Sequence, residues 1–309
     1  MARLTGAVVP QGPRAGFATA GGPASGRAGA RSGRRRVRAR TVVLTLLALA
    51  GGLLMITPFL WAIGTSLKPS GALLSLPPQL LPAEPTTSAY TAVLTRFPFL
   101  RVFGNSLLVA AATTLGQLVV CSMSGYAFAR FRFPGRDALF TVYLATLMVP
   151  FAVVITPLFI FVTRLGWANS YAGLIIPGMF SAFGTFFMRQ FFLSIPRELE
   201  EAATIDGAST LATFFRVVLP MTGPALATLT VLSFMGSWNS FLWPLLIIND
   251  RTLMTLPIAL STLQGLYPGQ TQWNVVMAGT VLATIPTIAV FLFAQRWVIE
   301  GVAGSGVKG

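Results

Sequence analysis

Long apolar runs alternate with short polar segments along most of this chain. Six runs are about 20 residues or longer, the length that an α-helix needs to cross the hydrocarbon core of a bilayer. The pattern therefore predicts an all-α integral membrane protein with six transmembrane helices. These helices are predicted at residues 41–66, 105–129, 138–161, 171–192, 223–248 and 274–298.

The segments between the apolar runs divide the chain further. Residues 1–40 are rich in Gly, Ala, Pro, Ser and Arg, a composition that cannot bury a core, so they are predicted to form a disordered tail. Residues 67–103 are rich in proline and are predicted to form an external loop without a long helix. The remaining segments are a transmembrane core at residues 104–298, a second external loop at residues 249–273 and an internal tail at residues 299–309.

Two of the apolar runs contain residues that interrupt helices. Pro150 and Pro157 lie inside the third run, and they are expected to bend it. Gly236 and Pro244 lie in the fifth run, where a break in the helix would expose backbone to a pathway.

Composition excludes several classes of protein. The chain of 309 residues is 54% hydrophobic and 10% charged, whereas soluble proteins carry about 25% charged residues. It has no histidine and one cysteine, Cys121, so neither a Ser-His-Asp or Cys-His arrangement nor an internal disulfide can form. No Cys, His and carboxylate cluster exists, and we expect neither a catalytic nor a metal site.

The net charge of +14 invites a nucleic-acid interpretation, but its distribution favours the membrane. Nine of the 22 basic residues lie in residues 1–40, which contain no acid, so orientation and attraction to anionic lipid are the expected roles of this tail. The predicted internal segments hold 17 Lys and Arg and the external segments hold five. This bias predicts a multi-pass plasma-membrane protein with both termini in the cytoplasm.

An acidic segment between the fourth and fifth runs has the pattern of two short helices. Pro196 suits the start of a helix, and Glu198, Glu200 and Glu201 place acids in its first turn. Gly207 is a helix stop signal and Ser209 is a cap for a second helix, which Pro220 is expected to end. We therefore expect an amphipathic, acidic helix–turn–helix.

This segment resembles the EAA motif of binding-protein-dependent ABC importer permeases, a loop at residues 194–220. The matching residues are Glu201-Ala202-Ala203, then Gly207 after three residues, then Val217-Val218-Leu219-Pro220 after nine more. The family usually has Ile in place of Val217. The resemblance implies a loop that docks on a cytoplasmic ATPase. The residues expected to couple the chain to that ATPase are Glu201, Ala202, Ala203, Asp206, Gly207, Leu219 and Pro220.

Other segments resemble carbohydrate permeases, in particular the maltose-type second permease. They are residues 165–177, 186–192 and 237–245 and the C-terminal residues from Gln295, although Ser240 stands where the family often has Asp. The resemblance implies the type-1 ABC importer permease fold and half of a pore. It implies as partners a second permease subunit, an ATPase dimer, an extracytoplasmic solute-binding protein and a carbohydrate. The chain lacks a G-x-x-x-x-G-K-[ST] loop, so ATP and Mg are expected on the partner ATPase and no cofactor in this chain.

Polar residues inside the predicted spans are candidates for the solute pathway, because such groups are costly in lipid and are expected to face a cavity or another helix. A tryptophan can stack on a sugar and an amide can bond its hydroxyls. The alternative, which carries equal weight, is that these groups only join helices. The candidates are Gln117, Thr185, Trp238, Asn239 and Ser240.

Three alternative functions remain open at this stage. Within the same family, the solute is a carbohydrate or another compound such as a sugar-phosphate, an amino acid or a phosphonate. A secondary transporter acting alone normally needs ionisable residues within its spans, and none is found at mid-span. An integral-membrane enzyme lacks support because no catalytic constellation is present.

Overall fold

A computed structural model describes residues 29–72, 79–265 and 271–306. No β-strand occurs among these residues, as the apolar pattern predicts. Short 3₁₀ turns and one π-helical segment, Phe214–Val218, connect several of the α-helices. The α-helices are α1 (Gly29–Ser66), α2 (Ser88–Arg96), α3 (Phe99–Arg130), α4 (Arg136–Ala145), α5 (Phe151–Arg164), α6 (Tyr171–Ile175), α7 (Ala182–Ser194), α8 (Glu198–Ile205), α9 (Thr210–Thr213), α10 (Leu219–Met221), α11 (Gly223–Trp238), α12 (Leu242–Ile247), α13 (Leu256–Ser261) and α14 (Trp273–Gly306).

Three helical segments of the described chain are long and apolar enough to cross a membrane, and three bent helix pairs have the same properties when each pair is taken together. Counting each pair as one span gives six, which is the predicted number. The long segments are Thr41–Ser66, Phe99–Arg130 and Trp273–Gln295. The bent pairs are Arg136–Met148 with Phe151–Arg164, Tyr171–Met179 with Ala182–Ser194, and Thr210–Met221 with Gly223–Trp238.

The first helix starts earlier than the apolar run that predicts it. α1 begins at Gly29, so residues 29–40 of the predicted tail are helical, and residues 1–28 lie outside the described chain. The chain divides into two compact units between Thr57 and Pro58, inside α1. Pro58 lacks an N–H, which removes one rung of the helical hydrogen-bond ladder at this point.

The segment predicted as the first external loop contains more helix than expected. α2 occupies nine residues, Ser88–Arg96, and α3 begins at Phe99. No long helix lies between residue 79 and Pro98, as predicted, but residues 86–97 contain no proline and accommodate the short helix α2, whose apolar side is buried through Ala89 and Val93. Pro77 and Pro78 lie outside the described residues.

The third apolar run is bent at Pro150, as predicted, whereas Pro157 lies inside the continuous helix α5. Pro150 precedes α5, and the axes on either side of the break differ by 105°. The fifth run is also broken, because α11 ends at Trp238 and α12 begins at Leu242. The break falls between Gly236 and Pro244, both of which are inside helices. A continuous helix over the predicted fifth span, residues 223–248, is therefore wrong, because α11 covers only Gly223–Trp238.

α3 is the central element of the larger unit and contributes to three apolar clusters. It packs closely on α7, where a Cβ added to Gly125 would lie 2.9 Å from the Cβ of Met188 and 3.0 Å from the backbone nitrogen of Arg189. Small residues at helix interfaces permit this kind of approach in membranes. The buried members that α3 gives to the clusters are Phe99, Val102, Val109, Ala110, Cys121, Tyr126 and Ala129.

One buried amide, that of Asn105, ties the N-terminal end of α3 to neighbouring segments. We call this end of α3 the far end. Asn105 Nδ2 donates to the carbonyl oxygens of Thr252 and Met254, both at 2.9 Å, and its Oδ1 accepts from the Tyr171 hydroxyl at 2.7 Å. In the same loop, the backbone N–H of Thr252 donates to Asp250 and lowers the pKa of that carboxyl. The loop after α12 is thus tied to α3 and α6, which is more order than a plain connecting loop requires.

Candidate functional site: an acidic elbow and a neutral cavity

The acidic segment folds as the predicted helix–turn–helix, and we call residues 198–221 the elbow. α8 ends at a Schellman motif: the N–H of Ala208 donates to the Ala203 carbonyl at 2.9 Å, and the N–H of Gly207 donates to the Thr204 carbonyl at 3.0 Å. Gly207 has φ of 82°, the left-handed conformation that glycine adopts without strain. Ser209 caps the second arm through a hydrogen bond from the N–H of Ala212, as predicted.

The second arm of the elbow is anchored in the protein core. Phe214 and Val218 are buried, and the Phe214 ring lies 4.9 Å from that of Tyr126. Helical structure ends at Met221, one residue beyond Pro220, so this arm stops close to the predicted position. The next helix, α11, begins at Gly223 and is bent from this arm by 80°.

Three side chains lock the first arm of the elbow to the end of α3. Arg130 Nε and Glu200 Oε1 lie 2.5 Å apart, with 7% and 16% of the two side chains exposed. These two atoms are not aligned as a hydrogen bond, so charge attraction joins them. The Tyr126 hydroxyl donates to Glu200 Oε2 at 2.9 Å, and Arg130 Nη2 donates to the Ile195 carbonyl at 2.8 Å. We call Tyr126, Arg130 and Glu200 the latch.

The neighbouring acid, Glu201, takes no part in the latch. It is exposed, and no side-chain partner for it is found within the described residues. It borders a shallow cleft together with Arg197, Thr204 and two latch residues, Arg130 and Glu200. Large apolar side chains stand beside it in the open, since Ile205 is 86% exposed and Leu211 is 63% exposed. An acid among uncovered apolar side chains is a surface suited to another protein.

The elbow brings the predicted coupling residues into one continuous segment with different exposures. Glu201, Ala202, Asp206 and Gly207 are exposed, and Ala203 is half-buried. At the other end, Leu219 is half-buried and Pro220 is exposed. The first arm therefore offers a small-residue, acidic surface, whereas the second arm supplies the attachment to the core.

A cavity of about 270 Å³ lies between α3, α5, α6, α11 and α12. It extends along α3 from Ser106 to Gln117, which corresponds to about 16 Å of helix. Its wall is a mixture of apolar side chains and small hydroxyls. The lining residues are Ser106, Val109, Thr113, Gln117, Phe151, Leu158, Leu174, Pro177, Gly178, Leu232, Ser233, Gly236, Ser237, Ser240, Trp243, Pro244 and Thr255.

Two of the five candidate pathway residues, Gln117 and Ser240, line this cavity. Gln117 also joins helices, because its Nε2 donates to the Gly178 carbonyl at 2.6 Å and its Oε1 accepts from the Ser233 hydroxyl at 2.5 Å. Gln117 therefore both faces the cavity and joins helices, so the two roles considered for a polar residue within a span apply to it together.

The other three candidates lie away from the cavity wall. Thr185 is fully buried, and its hydroxyl pairs with that of Ser124 at 2.9 Å, which joins α7 to α3. Trp238 is 3% exposed, stacks on Phe234 and donates its indole N–H to the Ala283 carbonyl, so its ring is not open to a sugar in this conformation. Asn239 is exposed and donates to the Met235 carbonyl of its own helix.

Sequence reasoning missed the latch and most of the cavity wall. A signal was present for both. Tyr126 and Arg130 are four residues apart at the end of a predicted span, which places them on one helical face. Ser106, Thr113 and Gln117 are likewise spaced by seven and four residues, which places three polar groups on one face of α3.

Comparison with known proteins relates this architecture to membrane transporters. The model of a family described as "Binding-protein-dependent transport system inner membrane component" matches residues 118–304, which include the elbow and most of the cavity wall. The matched region also contains α4 to α13, the helices on either side of the elbow.

Two relatives illustrate the range of similarity. The arabinooligosaccharides transport system permease protein AraQ of Bacillus subtilis (strain 168) is 35% identical over 274 residues, which cover 87% of this chain and 96% of the relative. The sn-glycerol-3-phosphate transport system permease protein UgpE of Pectobacterium atrosepticum is 43% identical over 208 residues, covering 67% and 74%.

A solved structure has the same fold over nearly the whole chain. It is a chain from the crystal structure of a bacterial ABC transporter involved in the import of the acidic polysaccharide alginate. The TM-score is 0.74 at 25% sequence identity, and the match covers 90% of this chain and all of the other.

Proposed function

The chain belongs to the inner membrane components of binding-protein-dependent transport systems, which are multi-pass permease subunits of ABC importers, and from this premise we propose that it receives the work of ATP hydrolysis through its elbow. ATP binding in such systems lies in the partner ATPase. The observation that carries the proposal is the contrast between two adjacent acids: Glu200 is paired in the latch, whereas Glu201 is exposed and unpaired within the described residues.

In the proposed mechanism two ATPase subunits close on ATP and push on the elbows of this chain and of a second permease subunit. Glu201 pairs with a basic group of the ATPase cleft, and Ala202 and Ala203 allow the close approach of that surface. The latch passes the displacement to α3, because Arg130 is the last residue of that helix. α3 then carries it to the cavity, whose wall includes Gln117 of the same helix.

The orientation that this mechanism requires places the elbow in the cytoplasm. The 17 basic residues of the predicted internal segments, against five in the external segments, support this orientation with both termini inside. The far end of α3 then faces outward, where the loop at residues 249–255 is available to an extracytoplasmic solute-binding protein.

We propose a carbohydrate as the solute. The support is the similarity to AraQ, whose name assigns it to arabinooligosaccharide transport, and to a transporter of the polysaccharide alginate. A phosphorylated polyol is the second candidate, because the UgpE relative is named for sn-glycerol-3-phosphate transport. No observation favours an independent secondary transporter.

The test is a purification of the tagged chain from its own host membranes, followed by reconstitution into liposomes. We expect an ATPase and a second permease subunit to be recovered with it, and ATP hydrolysis to respond to the binding protein. Glu201→Gln is expected to lower that response about tenfold or more, the effect of losing a hydrogen bond to a charged group.

The matched control is Glu198→Gln, because Glu198 is another exposed acid in the first turn of α8. It is expected to leave the response within about twofold. Solute transport by the chain alone, without a nucleotide-hydrolysing partner, would refute the proposed function.

A further inference from the structure

The cavity beside α3 is polar without being charged. Not one Asp, Glu, Lys or Arg is found among the residues that line it, all of which belong to the described part of the chain. Its polar groups are one amide, that of Gln117, and small hydroxyls. The hydroxyls belong to Ser106, Thr113, Ser233, Ser237, Ser240 and Thr255.

Two of these hydroxyls are buried and lack a partner within the described residues. Thr113 and Thr255 are each 4% exposed, and the Oγ1 atom of neither makes a hydrogen bond. A buried polar group without a partner costs about 1–3 kcal/mol, so such groups are rare unless a ligand or water completes them. Thr114, the next residue, is equally buried but donates to the Ala110 carbonyl. Ser122 on α3 and Thr213 on the elbow also have unpaired buried hydroxyls, and these lie outside the wall. A solute in the cavity is therefore supported by the composition of the whole wall, to which the two unpaired hydroxyls contribute free hydrogen-bonding groups.

The rest of the wall is apolar and includes two aromatic residues, Phe151 and Trp243. The indole N–H of Trp243 donates to the Gly173 carbonyl at 3.0 Å, so only the carbon surface of this ring is left for the cavity. Leucine, valine and proline side chains make up most of the remaining apolar surface. A solute that fits such a wall has hydroxyls on its edge and carbon–hydrogen surface on its face, which describes a sugar ring.

We infer that this cavity is the section of the solute pathway contributed by this chain, and that it takes an uncharged, hydroxyl-rich solute and not a phosphorylated one. The inference rests on the proposed function and narrows it to one of its two candidate solutes. A phosphate that enters a site without cationic side chains loses its hydration and gains no charged partner in return. The hydroxyls of a sugar instead replace their hydrogen bonds to water with hydrogen bonds to the hydroxyls of the wall. The volume of about 270 Å³ is near the lower end of small-molecule sites, about 300–1,000 Å³, so it suits one unit of a longer chain.

The test measures the charge preference of the cavity in the assembled transporter, where the second permease is present. Ser237→Cys and Ser240→Cys place a thiol in the wall in a background in which Cys121→Ala removes the native cysteine. Each variant is treated with the anionic reagent 2-sulfonatoethyl methanethiosulfonate and with the cationic 2-(trimethylammonium)ethyl methanethiosulfonate. Each modification rate is divided by the rate at which the same reagent modifies a free thiol in solution. The rates are measured with and without nucleotide trapped by vanadate on the ATPase. Thr185→Cys, buried outside the wall, is the negative control.

For either wall thiol we expect the corrected anionic and cationic rates to agree within about threefold, and the trapped state to change both by at least fivefold. An anionic preference above about tenfold, the size that one nearby cation produces, would overturn the neutral-solute inference and leave the proposed function standing. Absence of reaction at both positions in both states, with ATP hydrolysis intact, would overturn the assignment of the cavity to the pathway. Failure of the purified assembly to hydrolyse ATP counts against the proposed function instead.

Discussion

Glu200 Oε1 lies 2.5 Å from Arg130 Nε, and this contact joins the elbow to the last residue of α3. The same carboxylate accepts from the Tyr126 hydroxyl, one helical turn earlier on α3. Glu201, the next residue of α8, takes no part in this contact and is exposed. Adjacent residues of one helix therefore supply an acid that holds the elbow in place and an acid that is available to a partner.

Removing one partner of the latch is predicted to loosen the elbow. Glu200→Gln leaves the Arg130 guanidinium, on a side chain 7% exposed, without its counter-charge, and we expect a loss of about 2 kcal/mol of stability. The measurement is the midpoint of thermal unfolding of the purified chain. Glu198→Gln, on the exposed side of α8, is the control and is expected to leave the midpoint unchanged. Equal midpoints for both variants would show that the latch contributes nothing.

The turn of the elbow depends on one glycine. Gly207 has φ of 82°, so Gly207→Ala forces an alanine into the left-handed region at a cost of about 1–2 kcal/mol. We expect a lower unfolding midpoint and weaker recovery of the ATPase during purification. Gly223→Ala is the control, because an added Cβ there meets nothing within 4 Å. A Gly207→Ala protein as stable as the control would mean that the turn tolerates another conformation.

The elbow was predictable from sequence because its signals are local. Acids in the first turn, Gly207 as a stop and Ser209 as a cap act over a few residues, and all three occur as expected. The arm also ends within one residue of Pro220, because proline cannot supply the N–H that a continuing helix needs. The position of the elbow between two spans was predictable from the lengths of the apolar runs alone.

The cavity and the latch were not predictable in the same way, because both depend on which helix faces which. Trp238 has the chemistry of a sugar-stacking residue, yet packing on Phe234 and the hydrogen bond to Ala283 bury it. Thr255 lines the cavity from a loop far along the chain from Thr113. Periodicity identifies a face of one helix, whereas the identity of the opposing face is decided by tertiary packing.

Close packing of α3 on α7 is predicted to be sensitive to a single methyl group. In Gly125→Ala the new Cβ would lie 2.9 Å from the Met188 Cβ and 3.1 Å from the Thr185 carbonyl, so the helices must separate. Overpacking of this kind costs about 1–3 kcal/mol. Gly104→Ala in the same helix has open space around it and is expected to be neutral or stabilising by up to about 1 kcal/mol. Thermal unfolding of both variants measures the difference, and a similar effect from the two would contradict the tight interface.

The Gln117 amide is predicted to fix the shape of the cavity. Gln117→Leu leaves the Gly178 carbonyl and the Ser233 hydroxyl without their partner, and because Ser233 is buried we expect a cost of about 1–3 kcal/mol. Gln190→Leu, at an exposed position of α7, is the control for the loss of an amide. We expect the Gln117 variant to unfold several degrees lower and the control to be unchanged. Unaltered stability of Gln117→Leu would show that water replaces the amide.

The most direct measurement of the central claim is a disulfide crosslink between the elbow and the ATPase. Ala203→Cys, in a Cys121→Ala background, is paired with cysteines placed around the cleft of the partner ATPase in the assembled complex. We predict a crosslink from Ala203→Cys and none from Gly104→Cys at the far end of α3. The absence of any crosslink in an assembled, ATP-hydrolysing complex, or labelling of Ala203→Cys by an impermeant thiol reagent added outside intact cells, would contradict the account.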